Sequence, residues 1–166
     1  SKRGLNEVTN PSKANQRFEI SALALGIELE IVSFPRETRT AKQAAHALQC
    51  ELGQIVKSLV FECDGSAVLA LTAGDHQVDT QRLGVLLGGS VGKADAKLVK
   101  EATGFSIGGV PPFGHVTQLQ CFIDHNIFRY QTAWGAAGTP DTVFSLQTKR
   151  LPELSGGQVE DFVCIR

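Results

Sequence analysis

Two apolar runs, Gln54–Cys63 and Ala67–Thr72, flank the dipeptide Asp64-Gly65. Aspartate followed by glycine between such runs signals a β-hairpin, because glycine takes the backbone conformations a tight turn demands. The chain is thereby committed to a sheet containing this antiparallel pair. One charge interrupts the first run: Lys57, within Ile55-Val56-Lys57-Ser58-Leu59-Val60-Phe61. A lysine there must snorkel to water, pair with an anion, or burden the fold with an unpaired buried charge.

The flanking segments supply helices as well as strands. Residues Ser12–Leu25 place Phe18, Leu23 and Leu25 among polar neighbours, predicting an amphipathic helix that ends near Gly26. Ile27–Phe34 alternates apolar residues with Glu28 and Glu30, as a half-buried strand does, and Pro35 stops it. Thr40-Ala41-Lys42-Gln43 has capping-box spacing and opens a helix to about Cys50. Further helices are expected at Asp79–Leu87 and Ala94–Ala102, with Gly88-Gly89 as the break, and a short one at Leu151–Leu154. Strands are expected at Phe105–Ile107, Leu119–Asp124, Arg129–Ala136, Thr142–Gln147 and Phe162–Ile165, with a helical turn at Asp124–Phe128. The pattern predicts a mixed α/β, α+β-like fold: one compact domain over residues 1–166, its mixed, largely antiparallel sheet flanked by helices.

Composition narrows the function classes. With 42% hydrophobic residues, 20% charged residues and a net charge of −1, the chain suits a folded domain and not a strongly basic nucleic-acid protein. Touching only the end of a nucleic acid needs no more than a local basic patch, and Lys93, Lys97 and Lys100 recur at helical spacing. No run of about 20 apolar residues exists to span a membrane, and Ser1–Leu5 lacks the apolar core of a secretory signal. Cys50, Cys63, Cys121 and Cys164 form no C-x-x-C pair. Reduced thiols and a cytoplasmic location are expected; DNA and membranes are not expected partners.

Familiar catalytic signatures are missing. There is no G-x-x-x-x-G-K-[ST], no H-E-x-x-H, no G-x-S-x-G, and no dinucleotide-type glycine run after a strand. No cofactor and no metal are expected. The sequence offers instead Thr103–His115, which packs four glycines and two prolines into one short stretch. Gly108 and Gly109 let a backbone approach a ligand closely, while Pro111 and Pro112 fix φ and withdraw N–H donors, so the loop is stiff as well as bare.

At Gln54-Ile55-Val56-Lys57-Ser58-Leu59-Val60 and Thr103-Gly104-Phe105-Ser106-Ile107-Gly108-Gly109-Val110-Pro111-Pro112, the chain resembles the YbaK/prolyl-tRNA synthetase-associated editing domain family. The resemblance runs from about Thr38 to Val163, with further support from Phe122-Ile123-Asp124 and Gly135-Ala136-Ala137-Gly138. It implies a compact α/β domain that hydrolyses, in trans, the ester between a wrong small amino acid and its tRNA, a proline tRNA by default. The partners implied are the aminoacyl-tRNA 3′ end and a prolyl-tRNA synthetase or another translation factor. Lys57, Gly108 and Pro112 match the family's functional positions: the lysine beside the terminal adenosine and its phosphate, the G-x-x-x-P backbone lining the site.

That chemistry suits the residues present. An aminoacyl ester is already activated, so a positioned water and donors at the developing oxyanion suffice. Gly109, Val110 and Pro111 of the candidate loop are expected to bind the substrate. Phe113 and His115 either wall the pocket or pack, and His115 is the only acid/base candidate. Ser58 faces away from Lys57 on a regular strand and shapes the substrate pocket only if the strand is bulged. Asp124 either binds the substrate ammonium or caps a turn, and Tyr130 and Trp134 either stack a base or pack. A non-catalytic module binding an aminoacylated tRNA end or a nucleotide is the alternative, and a hydrolase for another small ester is a third reading.

Overall fold

The computed structural model describes residues 5–35 and 38–165. Ser12 caps α1 (Lys13–Ala24) by accepting a hydrogen bond from the Asn15 N–H, while the Asn15 side chain accepts from the Ser12 N–H. Thr40 and Gln43 do the same for α2 (Ala41–Leu48). Between them the expected strand at Ile27–Phe34 contracts to β2 (Val32–Ser33), which pairs with β1 (Asn6–Glu7) on one side. Only this end meets a partner, so alternation alone could not extend it.

The hairpin forms as the turn residues require. Asp64 and Gly65 have φ of 50° and 84° and join β3 (Val56–Cys63) to β4 (Ser66–Ala73) in unbroken register. The chain then enters β5 (His76–Val78), α3 (Thr80–Leu87), β6 (Val91–Lys93) and α4 (Ala96–Thr103). Lys93 thus lies on a strand, apart from Lys97 and Lys100 on α4, so the expected helical stripe of three lysines does not form. Phe105–Ile107 is turn, not strand. Next come β7 (Gln120–Asp124), a 3-10 turn over His125–Arg129, β8 (Thr132–Ala136) and β9 (Thr142–Gln147). The C-terminal part holds α5 (Leu151–Ser155), β10 (Gln158–Glu160) and β11 (Val163–Ile165).

The strands make a four-stranded sheet, β1-β2-β9-β8, a five-stranded sheet, β10-β7-β4-β3-β6, and a two-stranded ribbon, β11-β5. Among the described residues, strand pairings are antiparallel except β4–β7 and β7–β10, and the isolated Ile55–Trp134 bridge is also parallel. The five-stranded sheet is buried on both faces, which is why its central strands read as continuous apolar runs. One face carries Val56, Leu69, Leu71 and Ile123, packed with Phe18, Phe144 and Leu146 of α1 and the four-stranded sheet. The other carries Phe61, Val68, Ala70 and Phe122 against Leu83 and Phe162. Among the described residues, no helix is long and apolar enough to cross a membrane.

Candidate functional site

The two sheets pack face to face through the core and, among the described residues, are joined at their edges by one backbone bridge. Among the described residues, the edge of β3 away from β4 pairs with β6 at Phe61–Cys63 and forms a single bridge, Ile55 to Trp134 of β8. Between these points the Val56–Val60 stretch runs beside β8, and the line where the two meet is a seam. The Gln54 side chain donates to the Thr132 carbonyl at 3.2 Å and ties the seam at its start.

The glycine-proline loop closes the seam. A Cβ at Gly135 of β8 would lie 3.2 Å from Pro112 Cδ, and one at Gly109 would lie 2.8 Å from both the Gly138 oxygen and Thr139 Cα. The two loops therefore meet backbone to backbone, with no room for a side chain at Gly109. Gly108 turns outward with φ of 88° and is exposed, as are Ser106 and Ile107. Beyond it the loop differs from the bare strap expected: Val110, Pro111, Pro112 and Phe113 are buried. Phe113 belongs to the core, its ring 5.2 Å from Phe18 and 5.8 Å from Phe144. It packs and does not wall an open pocket.

His115 braces the same loop. Its Nε2 lies 2.7 Å from the Pro111 carbonyl, which can only accept, so that nitrogen carries the proton. Burial holds the imidazole below its ordinary value, with the bond to Pro111 opposing weakly. The neutral ring is committed to holding the loop. Ser58 has no bulge to turn it: its hydroxyl is buried on the Val56 face without a hydrogen-bond partner.

Lys57 points the other way. It pairs with Thr72, and strand alternation sends it to the Leu59 and Phe61 face, opposite Val56, Val110 and Phe113. Its Nζ donates to the His76 carbonyl at 2.7 Å. Lys57 and the loop, which the resemblance assigns to one site, therefore do not face the same side of the sheet. They lie on opposite faces of β3, because a regular strand cannot turn the adjacent residues Val56 and Lys57 to one side.

Behind that ammonium stands a charged network that sequence reasoning missed. His76 Nδ1 is 2.8 Å from Asp75 Oδ1 and 3.9 Å from Asp124 Oδ2. Asp75 accepts two bonds from Arg129, at 2.9 and 2.8 Å. This pairing draws the Asp75 carboxyl below its usual range and raises the Arg129 guanidinium. Asp124, a candidate for the substrate ammonium, is fully buried. It accepts from the Ala73 N–H at 3.1 Å and from the Asn126 N–H and side chain at 2.9 and 2.8 Å, so it acts as a turn cap. Trp134 packs beside Ile55 and Leu48, while the Arg129 guanidinium lies 5.3 Å over the Tyr130 ring. No group of three or more His, Cys, Asp or Glu suited to a metal occurs among the described residues. No short motif links Asp75 to Arg129, and only the fold joins them.

A mixed α/β domain with a seam closed by a glycine-proline loop is thus the class this chain presents. Residues 35–154 match the aminoacyl-tRNA editing domain, and the chain belongs to that family. It is 33% identical over 138 residues to "Uncharacterized protein YwhH" of Bacillus subtilis (strain 168), covering 82% of this chain and 88% of that one. It is 31% identical over 120 residues to a proline--tRNA ligase of Lysinibacillus sphaericus (strain C3-41), spanning 72% of this chain but 21% of the ligase. Its fold superposes, with TM-score 0.87 and 41% identity over 92% of this chain and 98% of the other, on the "Crystal structure of a putative trans-editing enzyme for prolyl tRNA synthetase". The hypothetical protein APE2540 shares the fold too, with TM-score 0.80, 26% identity, and 89% and 99% coverage.

Proposed function

We propose that this protein hydrolyses the ester of a mischarged aminoacyl-tRNA in trans, removing a small non-cognate amino acid from a tRNA that is by default one for proline. The observation that carries the reading is the family match over residues 35–154, which spans both Lys57 and the Gly108–Pro112 loop. Relatives include a proline--tRNA ligase and a fold neighbour described by its relation to prolyl-tRNA synthetase, which makes the aminoacyl-tRNA 3′ end the proposed ligand.

In this reading the acceptor end lies along the seam beside β3. The ester sits at exposed Gly108, where small residues let the main chain approach, and Pro112 and His115 keep the loop rigid. The ribose hydroxyl beside the ester, or backbone groups, positions the attacking water. Water adds to the ester carbonyl, the ribose oxygen departs with a proton, and free amino acid and tRNA result. Lys57 holds a phosphate of the acceptor end as a point charge from the opposite face of β3. No step needs a protein nucleophile, because the substrate is already an activated ester.

Purified protein incubated with a panel of mischarged tRNAs, beside Lys57→Ala, tests the proposal. Release of one amino acid, lost in the variant, supports editing. Tight binding without turnover would make the chain a binding module, and turnover of free esters regardless of tRNA would make it a general esterase. Either result overturns the proposal.

A further inference from the structure

The His76 carbonyl that receives the Lys57 ammonium is itself held from three directions. β5 pairs with β11 so that His76 stands opposite Ile165. His76 is only 8% exposed, and its ring is fixed by Asp75 Oδ1 at 2.8 Å, with Asp124 Oδ2 at 3.9 Å. Asp75 is gripped in turn by both terminal nitrogens of Arg129, whose Nε donates to the Asn126 carbonyl at 2.7 Å. Gly53 allows the approach: a Cβ there would lie 2.6 Å from Arg129 Nη2 and 3.2 Å from Asp75 Oδ1. A two-pronged guanidinium–carboxylate pair fixes direction as well as distance, which a lone surface ion pair does not. Lys57 has a long flexible stem, so the position of its charge depends on what receives it.

We propose that Asp75 and Arg129 are positioning residues for Lys57, acting through His76 to set where the ammonium meets an RNA phosphate. This rests on the editing reading, in which Lys57 contacts the acceptor end. Loss of the Arg129–Asp75 grip frees the Gly74–His76 turn, and the carbonyl that receives the ammonium shifts. The consequence is weaker binding of the acceptor end and not the removal of a reacting group.

The test is a double-mutant cycle read as affinity for an uncharged acceptor-stem RNA hairpin, measured by fluorescence anisotropy, with thermal melting beside it. Asp75→Asn and Arg129→Ala should each weaken binding roughly fivefold, in the range of couplings between residues of one network. Arg129→Lys, which keeps the charge and loses the fork, should fall between. In the Lys57→Ala background the same substitutions should add nothing. Equal losses in both backgrounds, or no loss in the wild-type background, overturn the inference. Asp75→Asn keeps the number of heavy atoms, so the cycle can be read from it if Arg129→Ala melts early. Failure of the editing reading shows separately, as absence of amino-acid release by the wild-type protein.

Discussion

Gly109→Ala is the sharpest test of how the candidate site is assembled. The added methyl would lie 2.8 Å from the Gly138 oxygen, 2.8 Å from Thr139 Cα and 3.0 Å from the Gly138 carbonyl carbon. All three are backbone atoms, and Gly138 is itself pinned, since a Cβ on it would lie 2.8 Å from the Ala14 oxygen. Relief must come from moving one loop away from the other. Overpacking of this kind costs about 1–3 kcal/mol, and a domain of this size loses about 2–4 °C in Tm per kcal/mol. A cost of about 2 kcal/mol, the middle of the first range, gives a fall of roughly 4–8 °C. Gly92→Ala is the control, because that glycine has no positive φ and nothing within 4 Å of the added carbon. It should leave Tm unchanged or raise it slightly. Circular-dichroism melts of both variants, with deacylation of a mischarged tRNA measured alongside, decide the matter. If Gly109→Ala melts with the wild type, the two loops are not packed main chain to main chain, and the closed seam is wrong.

Other substitutions separate fold from chemistry. Gly108→Val should abolish deacylation while the fold survives, since only Pro140, at 3.5 Å, lies near the added Cβ and the strain comes from φ of 88°; wholesale unfolding by circular dichroism would make that glycine structural. His115 has a folded-state pKa below its unfolded one. The unfolded chain therefore binds more protons in that window, and stability drops as pH falls from about 6.5 toward the folded value. His115→Gln should flatten that acid limb in a plot of Tm against pH, and an unchanged slope would remove the brace on Pro111. Burial pushes the Cys121 thiol up to about 12 and raises Cys63, whereas Cys164 is exposed. Iodoacetamide at pH 8 should label Cys164 rapidly and leave Cys121 unmodified by mass spectrometry. Early labelling of Cys121 would mean the parallel β4–β7–β10 layer opens readily.

Elements whose causes are local were legible in the sequence. The Asp64-Gly65 hairpin, the Thr40 capping box and the turn at the G-x-x-x-P glycine each follow from a few adjacent residues with a defined backbone preference. The sequence also carried the family match through Lys57 and Thr103–Pro112. It could not show that Val32–Ser33 is all that remains of the second strand, or that Val91–Lys93 pairs at all, because short edge pairings exist only where a neighbour arrives. Tertiary structure alone decided that Lys57 and the loop stand on opposite faces of β3. It also decided that Phe113 and Asp124 serve the interior, and that Asp75, His76 and Arg129 converge behind the ammonium. The reason is physical: turns and caps are set by neighbours along the chain, whereas facing and charge networks are set by which distant segments pack together.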